Sequence, residues 1–252
     1  MSDDFKPVFH EINFDSDSNF EQFDIEKYLC FEAYFLNEGP SWSKLKTIPN
    51  LLNPQLTWLE IVKKIRYIHI LYNDISNNYG TEKSGIIQYP FKEQIESIIF
   101  HMKTVIDMQV QLASLETDYE TIISSHRFKY DSFGSINKKK PEDERKLIKE
   151  CPDLLNIIFG NNVYEKDKTN FLPIINNLFN SMKHCALHSE AYSLYVEKYP
   201  TVVTIYAPNN DFEKNIEYHN HYLFQLLMGF DNNVRRIFRN MRLYQESITN
   251  VK

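Results

Sequence analysis

Two stretches of this chain repeat apolar residues at three- and four-residue steps over many turns, and they constrain the fold more than anything else in it. The first runs Leu56, Leu59, Val62, Ile65, Ile68, Tyr72 and Ile75; the second runs Phe91, Ile95, Ile98, Ile99, Met102, Ile106 and Val110 to about Leu115. This spacing gathers side chains on one side of an α-helix and does not fit the two-residue period of a half-buried strand. Asn53-Pro54 supplies a cap and a first-turn proline for the first helix, and the second is expected to start after Pro90. Joined by residues 77–89, the two are expected to pair antiparallel. Their apolar faces need partners, so the expected fold class is all-α, a multi-helix bundle.

The rest of the chain supplies those partners. Residues 1–20 alternate acids and serines with Phe5, Phe9, Phe14 and Phe20, and read as an irregular arm pinned by rings. A helix is expected from Phe20 to about Asn37, closed by Gly39-Pro40. Residues 124–141, with Gly134 and Lys138-Lys139-Lys140, read as an exposed loop. Pro141 followed by Glu142, Asp143 and Glu144 suits a helix first turn, where acids oppose the positive end of the dipole. Cys151-Pro152-Asp153 opens another helix that ends near Gly160. A short β-hairpin is expected near 192–206, from Tyr192–Tyr199 and Thr201–Tyr206, and a last helix from about Asn215 to Glu246. Residues 1–252 are expected to form a single helical domain.

Composition narrows the function. With 18 Phe and 16 Tyr against 6 Gly, the interior is expected to be packed with rings. A formal charge of -6 argues against broad nucleic-acid affinity, which needs cations to neutralise phosphates, but leaves room for a local basic patch. Cys30, Cys151 and Cys185 show no paired spacing, which points to a reducing compartment. No stretch approaches the roughly 20 apolar residues that a membrane span needs. A cytoplasmic protein without a membrane partner is the expectation. GxSxG, GxxxxGK[ST] and GxGxxG motifs are absent, so no cofactor is expected.

Chemistry concentrates in one helix, Thr169 to His188. At about 100° per residue, Asn177, Asn180, Ser181, His184 and His188 share a stripe, with Ile174, Ile175, Leu178, Met182, Cys185 and Ala186 opposite. The stripe lacks the Lys, Glu, Arg and Gln of an ordinary solvated face, so it reads either as a buried hydrogen-bond network or plain surface, or as a site. Asn180-Ser-Met-Lys-His184 resembles the Asn-x-x-x-His half of the Arg-Asn-x-x-x-His signature of HEPN domains, helical bundles of toxin and antiviral ribonucleases and of nucleotide-binding accessory proteins. Phe179 stands where that signature has Arg. The resemblance implies RNA or a nucleotide as ligand, and carries over Asn180 and His184 alone as catalytic candidates.

Three arginines of the last helix, Arg235, Arg239 and Arg242, share a face by their spacing. They read either as a charged outer surface or as a phosphate grip that replaces the missing cation, from this chain or from a homodimer partner. Arg239-Asn240 repeats the first half of the signature, with Tyr244 where His would stand. A competing chemistry is a metal site built from His184, His188, His219 and His221, with Glu190 as a carboxylate. The expected function is a non-catalytic, HEPN-like binding or interaction module; the alternatives are a metal-independent ribonuclease and a His-based metal-binding protein.

Overall fold

In the computed structural model, residues 8–10, 12, 39–48, 53–79, 91–137, 140–184, 199–206 and 216–249 are described. Helices dominate: α1 (Pro54–Asn78), α2 (Lys92–Thr117), α3 (Tyr119–Ser125), α4 (Phe133–Ile136), α5 (Pro141–Glu150), α6 (Pro152–Phe159), α7 (Phe171–His184) and α8 (Leu223–Thr249). A three-stranded sheet accompanies them, formed by β1 (Val8–His10), β2 (Thr201–Tyr206) and β3 (Glu217–Tyr222) in the order β1-β3-β2. No described helix is long and apolar enough to cross a membrane.

The chain divides into two compact units, neither continuous in sequence. Unit 1 comprises Met1–Glu21, Arg66–Lys103 and Thr169–Phe230; unit 2 comprises Gln22–Ile65, Thr104–Lys168 and Asp231–Lys252. Helices α1, α2 and α8 each give a stretch to both, and α1 passes from unit 2 into unit 1 while α2 runs the opposite way.

The start of α1 follows the expected chemistry, with the Gln55 amide donating to Asn53 Oδ1 at 2.9 Å. Its buried face differs from the expected one at the N-terminal end. Leu56 and Leu59 are exposed, and the core side is Trp58, Ile61, Ile65, Ile68, Tyr72 and Ile75. Both sets have helical spacing; large-ring packing selects the second, because Trp58 meets Phe238 edge-on at 5.4 Å within unit 2. The α2 face is the expected one, with Ile95, Ile98, Ile99, Met102, Ile106 and Val110 all buried.

Within unit 2, the segment expected to be an exposed loop at 124–141 is exposed at Ser124, Ser125, His126, Arg127, Lys129, Asp131, Gly134 and Lys140, and is anchored by three residues between them. Tyr130, Phe133 and Ile136 are buried and Phe133–Ile136 forms a helical turn. Backbone groups there find partners on α2: Asp107 Oδ1 accepts from the Phe133 amide at 2.8 Å, and Ser114 Oγ donates to the Tyr130 carbonyl at 2.7 Å. The Tyr130 hydroxyl donates to Glu150 Oε2 at 2.7 Å on α5. Lys138 and Lys139 lie outside the described residues. Helices α5 and α6 begin at Pro141 and Pro152 and α6 stops before Gly160, as their capping residues imply.

Within unit 1, Thr201–Tyr206 is a strand as expected. Thr201–Tyr206 pairs antiparallel with Glu217–Tyr222, so Thr204 faces His219 and Val202 faces His221. The expected partner, Tyr192–Tyr199, lies outside the described residues except at Tyr199. Consequently the last helix starts at Leu223 and not near Asn215; the Leu223 amide bonds the Pro200 carbonyl at 2.8 Å where strand gives way to helix. Strand β1, in the segment read as an irregular arm, pairs parallel with β3 through Val8, Phe9 and His10. The helix expected over Phe20–Asn37 falls outside the described residues.

Candidate functional site

Helix α7 carries three kinds of residue, and unit 1 uses each differently. Ile174, Ile175 and Leu178 are buried in its core, and Phe171 packs against Phe230 with ring centroids 6.3 Å apart. The polar stripe turns toward the sheet. Asn177 Nδ2 donates to Glu217 Oε2 at 2.9 Å. Ser181 Oγ donates to the Leu178 carbonyl at 2.7 Å, which leaves Thr204 Oγ1 as donor in the bond it shares with Ser181 Oγ at 2.8 Å. This part of the stripe is therefore a buried hydrogen-bond network, where each partner offsets the desolvation of the other.

The sheet continues that polar layer. Alternation along β3 puts Glu217, His219 and His221 on one face, beside Thr204 and Val202 of β2. The two imidazoles are buried, with His219 Nδ1 and His221 Nε2 3.2 Å apart. A hydrogen bond at that distance requires one ring to offer a lone pair, so at least one of the two is neutral. Of the other stripe residues, Asn180 is half-buried on α7 and His184 is the last described residue of that helix. The His184 side chain and all of His188 and Glu190 lie outside the described residues.

The remaining side of α7 meets a run of rings. Phe179 packs on Phe100 of α2 with centroids 6.0 Å apart; His101 stands edge-on to both Phe100 and Tyr67 of α1, at 5.4 and 5.1 Å. Lys103 Nζ and Lys183 Nζ lie 5.7 and 5.9 Å from the Phe179 centroid. Phe179, the departure from the HEPN signature, is thus a ring held among cations and other rings. Sequence spacing did not point to Tyr67 or Phe100, because each looks like one more apolar residue of a core helix.

The candidate phosphate grip lies in unit 2, and there its members are engaged. Arg239 closes a two-pronged pair on Glu165, Nε to Oε2 and Nη2 to Oε1, both at 2.8 Å. Arg242 Nε donates to Glu246 Oε1 at 2.9 Å, one turn along the same helix. Arg235 is half-buried. The residues doing most here were not singled out by spacing. Arg236 Nη2 donates to the Ile158 carbonyl at 2.6 Å and to Asn233 Oδ1 at 2.9 Å, and Asn240 Nδ2 donates to the carbonyls of Ile157 and Glu165 at 3.0 Å each. Asn240 Oδ1 accepts from the Glu165 amide at 2.8 Å. Arg236 and Asn240 therefore satisfy carbonyls at the end of α6 that have no intrahelical donor. Their signal was available: Asn233, Arg236 and Asn240 are polar residues at core spacing among Val234, Ile237 and Met241.

Asn180, His184, His219 and His221 thus belong to unit 1, and Arg235, Arg239 and Arg242 to unit 2. Among the described residues, no group of three or more His, Cys, Asp or Glu is placed to hold one metal ion. No family model, no curated protein and no solved structure matches the chain.

Proposed function

We propose that this chain is a non-catalytic binding module of HEPN-like type, a cytoplasmic protein whose ligand class is RNA or a nucleotide. The observation that carries this reading is the Arg239–Glu165 pair. A guanidinium that stabilises a transition-state phosphate presents its fork to the ligand, and here a carboxylate already occupies both prongs. The stripe on α7 supports the same reading, because Asn177 and Ser181 spend their polar atoms on the sheet. Binding then proceeds without bond cleavage.

The ribonuclease alternative assigns proton transfer to His184 and phosphate stabilisation to an arginine of α8, from the same chain or a homodimer partner. Incubating the purified protein with structured RNA in the presence of a chelator separates the two. Intact RNA is the expected result. Cleavage that disappears in His184→Ala and weakens in Arg239→Ala would overturn the binding-module reading.

A further inference from the structure

We propose that His10, His219 and His221 form a three-histidine site for a divalent transition metal of zinc type on one face of the unit 1 sheet. His219 and His221 are alternate residues of β3 and are both buried on the same face. The parallel ladder sets His10 of β1 at the register position of His219. Residues paired across a ladder share a face of the sheet, so three histidines gather in one cross-strand patch. The pairing joins opposite ends of the chain, which is why spacing in the sequence grouped His219 and His221 with α7 instead. The site uses neither His184 nor His188, and it stands whether or not the chain binds RNA or a nucleotide.

The geometry of the pair on β3 fits a shared ion. Zinc binds imidazole nitrogen at about 2.0–2.1 Å in a tetrahedral shell, which sets two such nitrogens about 3.3 Å apart. His219 Nδ1 and His221 Nε2 are 3.2 Å apart. Without metal that distance is a hydrogen bond, with one proton shared between the rings. With metal the ion takes the place of that proton, and the donor ring carries it on its other nitrogen, where metal-bound imidazoles take the hydrogen bond that orients them. Two imidazoles alone are too few, and no third His, Cys, Asp or Glu among the described side chains is placed with them. His10 supplies the third ligand and a water the fourth position. Nitrogen ligands without thiolate suit zinc, copper, nickel or cobalt, whereas magnesium and calcium prefer oxygen. The neighbouring polar groups are already committed to each other: Glu217 accepts from Asn177 at 2.9 Å, and Thr204, paired with His219, bonds Ser181 at 2.8 Å.

Metal loading of the full chain, purified without an affinity tag and stripped with a chelator, tests the assignment. The protein is incubated with excess Zn2+ or Co2+, desalted and assayed by elemental analysis, and the visible absorption of Co2+ reports the coordination. One ion per chain with a tetrahedral Co2+ spectrum is the expected result. Affinity should fall by at least about 10-fold from about pH 7.5 to about pH 5.5, because the ligating imidazoles must be neutral. His10→Ala is expected to weaken binding by about 10-fold or more and His221→Ala to abolish it, whereas His184→Ala with His188→Ala should bind like the parent. Circular dichroism checks that each variant folds. Should the buried His221→Ala variant fail to fold, His10→Ala decides, since β1 is a short strand at the edge of the sheet. No stoichiometric ion in the parent, unchanged affinity in His10→Ala, or loss of the ion in the His184/His188 double variant overturns the inference.

Discussion

Replacing Asn240 by alanine tests whether the Arg239-Asn240 pair is architecture. Asn240 is fully buried, and its amide serves the Ile157 carbonyl, the Glu165 carbonyl and the Glu165 amide. After truncation the Glu165 carbonyl keeps Arg236 Nη1 at 3.3 Å, but the Ile157 carbonyl and the Glu165 amide lose this partner. Each buried group left unmet costs about 1–3 kcal/mol, and partial relaxation brings the expected total to about 2–4 kcal/mol. Arg239→Ala removes a pair whose side chains are 34% and 45% exposed, and should cost only about 0.5–1 kcal/mol. Neighbouring residues on one helix thus differ several-fold in expected cost. Both tryptophans, Trp42 and Trp58, belong to unit 2, so urea unfolding followed by tryptophan fluorescence reads the unit concerned. An Asn240→Ala variant within about 0.5 kcal/mol of the parent, or an Arg239→Ala variant as costly as Asn240→Ala, would refute the assignment.

Further outcomes follow from the same structure. Gly160 has φ +79°, and a Cβ there would press into the Glu165 carbonyl; Gly160→Ala should destabilise unit 2 by more than about 2 kcal/mol in the same urea assay. Burial pushes the Glu116 carboxyl above its ordinary value of 4.5, against the amide of Lys46 and the Gln245 side chain, which lower it. The native state therefore holds a proton that the unfolded chain releases, so this group's contribution to stability falls as pH rises from about 4.5 through the raised value. Comparing the parent with Glu116→Gln across that range should show the slope only in the parent; parallel curves would remove the attribution. Burial also pushes the Cys151 thiol up to about 11, with its Sγ donating to the Leu147 carbonyl at 3.3 Å. Alkylation at pH 8, read by peptide mass spectrometry, should modify Cys151 roughly 10- to 100-fold more slowly than a free thiol. In unit 1, Ser181→Val strands the Thr204 hydroxyl and should cost about 1–3 kcal/mol by thermal melting; a neutral effect would show that the bond contributes nothing.

The helices were legible where spacing and caps agreed. Pro54, Pro141 and Pro152 mark their starts, and Gly160 marks an end. Strand β3 was not legible, because Glu-Tyr-His-Asn-His-Tyr carries no apolar alternation and its buried positions are histidines, whose burial depends on partners elsewhere in the chain. The inner face of α1 was ambiguous for a related reason: helical spacing permits both Leu56/Leu59 and Trp58/Ile61, and only contact with Phe238 selects between them. The site candidates divide similarly. A separated polar stripe on α7 was visible, but its use by Thr204 and Glu217 depended on a strand pairing that the sequence did not reveal. On α8, regular spacing drew attention to Arg239 and Arg242, which take surface ion pairs, and away from Arg236 and Asn240, which serve the buried backbone carbonyls of Ile158 and Ile157.

The parallel pairing of β1 with β3 has a consequence for how the protein is made. Val8–His10 must wait for Glu217–His219, which leaves the ribosome roughly 200 residues later, about 10–40 s at usual synthesis rates. Unit 2 is likewise incomplete until Asp231–Lys252 has been added. Neither unit is therefore complete before these late residues have been made, and Val8–His10 lacks its sheet partner until then. Rare-codon pauses or chaperone capture before residue 217 would act on a chain that has no finished core to protect it.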